Sequence, residues 1–401
     1  MLSAKAIAAL ERLAYPLRMA KRLAGLDIFR GLAVAGMIVV NNPGSGDHVW
    51  WPLDHAAWHG FTPTDLVFPA FLCAMGVALG LGFPRAIAAT ERRVMWGRIV
   101  RRSVVLIALG IGFGILARLS FADIRLFGVL QRIGLCYFVA ASLAMLTARP
   151  QADGHHALSA RVIGGAAFGC VILYAALLLF APVPGYGAGQ LTPEGNIAGY
   201  VDRTLFTTAH IWRWGTGAAG AIVYDPEGLL STLPALANVL FGVVAGIAWR
   251  RAPDRALGWI VAGGVALTIL GLAVTPLFPL NKRIWTPSFA LFTTGLSALL
   301  LALATIAVRS DTARRLLGPF HVLGMNAILG YILSLLLGIL GLHAIVPHAG
   351  GAVTLPQWGF ERIDALLHTP LLSSALYGVL LLALVLLALL PLHRRGIHLR
   401  L

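Results

Sequence analysis

Long apolar runs separated by short polar segments dominate the chain from end to end. A helix needs about 20 consecutive apolar residues to cross the hydrocarbon core of a bilayer, and the runs reach this length. The pattern predicts an all-α, polytopic integral membrane protein with about ten transmembrane helices. The predicted spans are residues 26–41, 64–83, 99–118, 127–147, 162–182, 229–249, 257–277, 286–308, 319–342 and 369–391.

Composition supports the membrane assignment. Hydrophobic residues make up 58% of the chain and charged residues only 12%, whereas soluble domains carry about 25% charged residues. The three cysteines, Cys73, Cys136 and Cys170, lie inside apolar runs and have no neighbours at metal-ligand spacing. We therefore expect no disulfide and no metal site.

The net charge of +15 arises from basic clusters between the apolar runs. Because these clusters do not form one continuous face, we expect no nucleic-acid partner. If the N-terminus is cytoplasmic, the inner segments hold 22 of the 31 Lys and Arg residues, as the positive-inside rule requires. This bias predicts that both termini are cytoplasmic.

The same pattern divides the chain into three parts. Residues 1–25 are predicted to form a basic amphipathic segment on the membrane surface, and residues 394–401 a basic cytoplasmic tail. Between them, residues 26–393 read as a single transmembrane domain. Its long outer loops, 42–63 and 183–228, are candidates for functional segments, since long loops between spans are more often functional than decorative.

Two arginines lie within predicted spans, where charged groups are costly and usually mark function. Arg30 follows Asp27 by three residues, which fits either an ion pair that anchors the helix or a site for a charged ligand. Arg132 follows Gln131 in the outer half of the fourth span, where it needs a carboxylate, a ligand or a water-filled cavity. Its candidate partners on the outer side are Asp65, Asp225 and Glu227.

The stretch LDHAAWHGFTPTDLVFPAF, residues 53–71, brings two histidines to the mouth of the second span. His55 and His59 would share a face if the segment were helical, but no third zinc ligand is evident. They fit either polar anchors at the interface or proton-transfer and nucleophilic groups. Asn41, at the end of the first span, fits either a helix C-terminus or an amide that orients a substrate.

Several motifs are long and unusual, and together they resemble those of the heparan-α-glucosaminide N-acetyltransferase family, in its bacterial branch. The resemblance covers about residues 22–335, in order and with compatible spacing. The matching motifs are LAGLDIFRGLAVAGMIVVNNPG, DHAAWHGFTPTDLVFPAFLCAMG, GVLQRIGLCY, VPGYGAGQLTPEGNIAGYVDR, YDPEGLLSTLPALANVLFGVVAG, NKRIWTPSFALFTTG and GPFHVLGMNAI.

The resemblance implies a transmembrane acetyltransferase that moves an acetyl group from cytoplasmic acetyl-CoA to the amine of a glucosamine-type sugar on the far side. The histidine of the family's HAxWNG motif corresponds to His55, and the asparagine of its VN motif to Asn41. His55 is then the expected base or transient acetyl carrier. Asn41 would act on the thioester carbonyl, and Asp65 would support His55.

The other expected site residues follow from what this reaction would require at each end of the bundle. The substrate-binding candidates are Trp58, His59, Gln131, Arg132, Asp225 and Glu227, and the candidates for the CoA phosphates are Arg30, Arg98, Arg101 and Arg102. His59 departs from the family, which has Asn at that position. Since the large luminal domain of the animal enzyme is absent, the expected acceptors are free amino sugars or cell-envelope glycans.

The expected location is a bacterial-type inner membrane, in contact with the lipid bilayer. Small residues at many helix positions also allow a homodimer. One alternative function stays open, namely an inner-membrane transporter of amino sugars or oligosaccharides that performs no acetyl transfer. Such a transporter would need a central path lined by polar groups at mid-membrane.

Overall fold

The computed structural model describes residues 24–88, 90–151, 156–348 and 351–397. The predicted N-terminal segment 1–25 lies almost wholly outside these ranges, as does the end of the predicted tail. The longer helices are α1 (Ala24–Asn41), α2 (Val67–Ala88), α3 (Arg92–Arg118), α4 (Val129–Thr147), α5 (Ala160–Phe180), α7 (Thr232–Arg251), α8 (Ala256–Ala273), α9 (Pro287–Ala307), α12 (Ala327–His343) and α14 (Pro370–Arg394).

Shorter elements connect these helices. The short helices are α6 (Ile197–Phe206), α10 (Asp311–Leu316), α11 (Gly318–Met325) and α13 (Leu355–Leu367). The strands form two antiparallel hairpins, β1 (Arg149–Pro150) with β2 (His156–Ala157), and β3 (Ile345–His348) with β4 (Gly351–Thr354). The sequence pattern did not predict the hairpins, since such short strands leave no period in the hydrophobicity.

The all-α membrane architecture is confirmed. Within the described ranges, nine helices are long and apolar enough to cross a membrane, and α11 with α12 forms a tenth, bent candidate. One boundary shifts notably, because α3 begins at Arg92 and not near residue 99. The basic cluster at residues 92–102 therefore belongs to the first turns of a helix.

The predicted span over residues 319–342 is broken into two helices. The chain turns by 90° between α11 and α12, and Asn326 at the break has φ −123° and ψ 40°. The carbonyl of Gly324 accepts a hydrogen bond from Arg30 Nε at 2.7 Å. A break in the backbone ladder is tolerated here because a side chain from α1 satisfies the freed carbonyl.

Glycines allow a close contact between α2 and α7. Gly76 and Gly80 of α2 face Gly242 and Gly246 of α7, and a Cβ added to Gly76 would lie 2.0 Å from the carbonyl oxygen of Val239. Without a strong hydrophobic drive between helices in lipid, close backbone packing of this kind holds spans together. The α2–α7 pair carries the segments that flank the site.

A buried amide links this pair to α9. Asn238 of α7 donates to Thr294 Oγ1 at 2.8 Å and to the Ala290 carbonyl at 3.1 Å. Its oxygen accepts from Trp285 Nε1 at 2.9 Å. Because all its polar atoms have partners, the amide fixes the position of the loop before α9, which contributes to the site.

Alternate helix ends meet on one side of the bundle, which we name the outer end after its predicted orientation. It carries the end of α1 and the start of α2, together with the connecting segments 42–62, 119–128, 181–231 and 274–286. These segments contain the motifs that differ most from plain membrane-spanning sequence. The candidate site lies among them.

Candidate functional site

A cavity of about 470 Å³ lies at the outer end of the bundle. Its wall is formed by α1, α2, α3, α4 and α12 and by the outer connecting segments. The polar side chains that reach it include Asn41, His55, Gln131, Glu227, Lys282 and Arg283. The structure therefore brings together His55 and Asn41, the two residues that the sequence motifs marked as most important.

A buried carboxylate orients the His55 ring. Asp65 lies in the 3-10 turn Pro63–Leu66 that precedes α2, where Thr62 and Asp65 form a capping box. Asp65 Oδ2 accepts from the backbone amides of Thr62 and Ala56 at 3.0 and 3.3 Å. Its Oδ1 lies 2.7 Å from His55 Nδ1. Since a carboxylate only accepts, Nδ1 carries the proton and Nε2 presents the lone pair.

The Lys282 amine lies against the face of the same ring, near both nitrogens. Its Nζ lies 2.8 Å from His55 Nε2 and 3.2 Å from Nδ1. Burial and the Lys282 charge lower the pKa of His55 from its ordinary value, against the opposing effect of Asp65. Burial likewise lowers the pKa of Lys282 to about 8. His55 is therefore a neutral imidazole near pH 7.

The loop that carries Lys282 is held by several hydrogen bonds. Asn281 Oδ1 accepts from the Ile284 amide at 3.0 Å, and Tyr174 donates to the Ile284 carbonyl at 2.5 Å. Trp285 takes a left-handed conformation with φ 52° and is fully buried. The side chain of Lys282 is thus aimed at His55 by a fixed backbone.

The two histidines of the outer loop do not share a helix face. Residues 54–62 form turns and no helix, with Gly60 at φ 128°. His59 points away to Asn281, whose Nδ2 lies 3.3 Å from His59 Nδ1. Trp58 donates to the Leu191 carbonyl at 2.8 Å. Neither His59 nor Trp58 lines the cavity, and both join the outer segments to one another.

A second charged group closes one side of the cavity. Arg125 forms a bidentate pair with Asp225, at 2.9 and 2.6 Å, and contacts Glu227 at 2.6 Å. Burial alone would raise the pKa of Glu227, but Arg125 and Arg132 bring it below the ordinary value. Glu227 is therefore ionised, and Arg125 is the direct partner of both carboxylates.

Arg132 forms no ion pair with a carboxylate of the described residues, so none of its candidate partners Asp65, Asp225 and Glu227 pairs with it. Its Nη2 donates to Ser231 Oγ at 2.5 Å and to the Gly228 carbonyl at 3.2 Å. The guanidinium also lies 5.0 Å from the centre of the Trp285 ring. Arg125 forms the ion pairs with Asp225 and Glu227 instead. The sequence could not show which of the two arginines would reach these carboxylates.

Asn41 and Gln131 lie at the cavity wall in different settings. Asn41 is exposed to the cavity, and its side chain makes no hydrogen bond to a described residue. Gln131 is buried and sits against Gly110 and Gly128, where a Cβ would lie 2.2 and 2.8 Å from its Oε1. An unengaged amide facing open space is available to a ligand, whereas Gln131 packs the wall.

The four candidate arginines for CoA lie outside the cavity wall. Arg30 pairs with Asp27 at 2.8 Å, so the predicted ion pair is present. Arg98 donates to Thr90 Oγ1 at 3.2 Å, and Arg101 is exposed. The Arg102 guanidinium lies 4.4 Å from the centre of the Tyr137 ring. All four belong to the inner halves of their helices.

Sequence reasoning missed Lys282, Arg283 and Arg125 as site residues. Each lies in an outer connecting segment and so runs against the positive-inside bias. Their outer position could have identified them as site residues, since the positive-inside rule does not explain a cation on the outer side. The structure adds Trp212, whose ring lies 5.3 Å from the Arg283 guanidinium and 5.9 Å from that of Arg125.

The cavity wall in the described ranges has no cluster of metal ligands, since no three His, Cys, Asp or Glu side chains of those ranges lie close enough to hold an ion. The polar groups instead comprise an imidazole with its orienting carboxylate, an amide, and cations. This set can accept a proton, attack an acyl group and stabilise a developing negative charge.

The known proteins that this chain resembles are N-acetyltransferases. Residues 22–179 match the model of the family described as heparan-alpha-glucosaminide N-acetyltransferase, catalytic. The chain is 32% identical to heparan-alpha-glucosaminide N-acetyltransferase of Homo sapiens over 352 residues, which cover 78% of this chain and 52% of that protein. The Mus musculus protein of the same name is 30% identical over 352 residues, covering 78% and 53%.

These matches confirm the family resemblance that the motifs indicate. The chain spans about half the length of the curated relatives it matches. The family match over residues 22–179 includes α1 to α4 and the outer loop that carries His55.

Proposed function

We propose that this chain, a relative of the heparan-α-glucosaminide N-acetyltransferases, is a transmembrane acetyltransferase. In this proposal acetyl-CoA donates from the cytoplasmic side, and the amine of a glucosamine-type sugar accepts on the outer side of a bacterial-type inner membrane. The observation that carries it is His55, fixed by buried Asp65 at 2.7 Å on the wall of a cavity at the outer end.

The His55 geometry suits amide formation from a thioester. An amine must lose a proton to attack a carbonyl, and a neutral imidazole with an oriented ring is the side chain best suited to take it near neutral pH. His55 Nε2 can take the proton directly, or it can first carry the acetyl group.

The remaining polar groups support the charge changes of the reaction. Attack on the thioester places negative charge on the carbonyl oxygen, which preorganised donors stabilise. Asn41 supplies an unengaged amide, and Lys282 supplies a cation within the same cavity. Glu227 supplies negative charge for the sugar ammonium, although Arg125 already neutralises part of it.

The cavity volume suits a small sugar. Ligand pockets are typically about 300–1,000 Å³, and this one is about 470 Å³. A single amino sugar with an acetyl group fits within that range. Trp212 lines the cavity wall, where its aromatic side chain could contact the sugar ring.

CoA would have to reach this cavity from the inner end. Arg30, Arg98, Arg101 and Arg102 are the proposed cations for its phosphates. Gly110 lines the cavity. Arg102 precedes it by eight residues on α3, which is about 12 Å of helix rise. Fully buried Leu106 lies between these two residues in sequence. In this proposal, acetyl transfer requires a second conformation in which the packing around Leu106 opens.

The direct test combines purified full-length protein, isotope-labelled acetyl-CoA and glucosamine. Labelled N-acetylglucosamine above the level of a protein-free control is the expected product. A transporter would instead take up glucosamine into proteoliposomes without acetyl-CoA. Uptake without acetyl-CoA, combined with no product and no acetyl-CoA binding, would overturn the acetyltransferase proposal.

A further inference from the structure

Lys282 is the single lysine of the described ranges, since the other two lysines of the chain are Lys5 and Lys21. It is partly buried in the cavity wall and forms no ion pair with a carboxylate in the part of the chain that the structure describes. Its hydrogen-bond partner is the ring of His55. A primary amine in that setting invites a chemical explanation.

The amine occupies the place that a reacting acceptor needs. Its Nζ lies 2.8 Å from His55 Nε2, so it is next to the carbon of any acetyl group carried on that nitrogen. Glucosamine offers the same functional group, a primary amine. Lys282 and the sugar amine would therefore compete for one position beside the imidazole.

We propose that Lys282 is a self-acetylation site, which receives the acetyl group through His55 when no amino sugar fills the cavity. The resulting amide would occupy the acceptor position and block turnover. The inference rests on the proposed function, because it requires acetyl transfer through His55.

The transfer balances in two steps. His55 Nε2 attacks the thioester carbonyl, the carbon–sulfur bond breaks, and CoA leaves as a thiolate. The thiolate takes up the proton that the acetylated ring releases from Nδ1. The neutral Lys282 amine then attacks the acetyl carbon, and the bond from that carbon to Nε2 breaks. The proton lost by the amine goes to the imidazole, which regenerates His55 and leaves Nε-acetyl-lysine.

Two features of Lys282 favour this reaction. Partial burial lowers its pKa to about 8, so roughly a tenth of the amine is neutral at pH 7. The hydrogen bonds around Asn281 and Ile284 hold the backbone in place, so the side chain needs only small rotations to reach the acetyl group.

The test uses full-length protein in detergent with isotope-labelled acetyl-CoA, with or without glucosamine, followed by peptide mass spectrometry of all three lysines. The expected result is label on Lys282 without glucosamine, and a several-fold lower label when glucosamine is present. Lys5 and Lys21 serve as internal controls for chemical acetylation. His55→Ala should remove the Lys282 label, whereas His48→Ala should keep it, because His48 stacks on Phe360 outside the cavity wall.

Each other outcome is decisive. Equal label on all three lysines, or label that persists in His55→Ala, would overturn the inference in favour of chemical acetylation. Labelled N-acetylglucosamine without label on Lys282 would overturn the inference and leave the proposed function intact. Neither product nor label would overturn both.

Discussion

Lys282 Nζ lies 2.8 Å from His55 Nε2 while Asp65 Oδ1 lies 2.7 Å from His55 Nδ1. The imidazole thus has a carboxylate on Nδ1 and the Lys282 amine against its face, near both nitrogens. Asp65 fixes the tautomer, and burial, together with Lys282, keeps the ring neutral. A base prepared in this way can take up a proton or an acetyl group at Nε2.

The pH dependence of activity should report this arrangement. Because burial and Lys282 lower the pKa of His55, the acid limb of kcat/KM should lie below the ordinary histidine value of about 6.5. Lys282→Met removes one of the lowering charges, so the limb should move to higher pH. Lys282→Arg keeps the charge, so its limb should stay close to that of the wild type. Identical limbs in both variants would contradict the electrostatic role of Lys282.

Asp65→Asn should reduce kcat by about 10²- to 10⁴-fold, the usual contribution of positioned acid–base groups. The Asn amide can donate to Nδ1, which favours the wrong tautomer. Asp54→Asn is the matched control, since the exposed Asp54 carboxylate only accepts from the His55 backbone amide at 2.8 Å. Steady-state kinetics of both variants check this. Equal losses would show that Asp65 acts only through the loop conformation.

Arg125→Ala should lower the free energy of unfolding by about 3–5 kcal/mol, because it leaves two buried carboxylates without their counter-charge. Arg118→Ala provides a control on the same outer segment, since Arg118 pairs with the half-exposed Asp123. Denaturant titration in detergent measures both. Comparable losses would mean that the Arg125 pairs do not stabilise the fold.

Gly76→Ala tests the glycine contact between α2 and α7. Its Cβ would collide with the Val239 carbonyl, so the helices must separate, at a cost of about 1–3 kcal/mol. Gly82→Ala is the control on the same helix, because nothing lies within 4 Å of its Cβ position. Thermal unfolding in detergent should separate the two variants. A Gly82→Ala loss as large as that of Gly76→Ala would exclude close packing as the cause.

The sequence predicted the spans well because each needs only a long apolar run. The apolar pattern did not predict the bend at Asn326, because the pattern continues through that residue. The hydrogen bond from Arg30 and the close packing of Gly324 allow the bend. That bend depends on a contact between residues nearly three hundred positions apart, which hydrophobic periodicity cannot register.

The candidate site was predicted in part. His55 and Asn41 followed from motifs, and the structure brings both to one cavity. The roles of Lys282 and Arg125 could not be predicted, because they depend on loops from distant parts of the chain. The candidate carboxylates do not pair with Arg132, because only the folded structure determines which arginine reaches Asp225 and Glu227.

The central claim is that His55 is the group through which the acetyl transfer proceeds. Its most direct test compares the initial rate of N-acetylglucosamine formation by His55→Ala and His48→Ala, two histidine substitutions in one outer loop. The account predicts a loss of at least about a hundredfold for His55→Ala and a rate close to wild type for His48→Ala. Wild-type turnover by His55→Ala would contradict it.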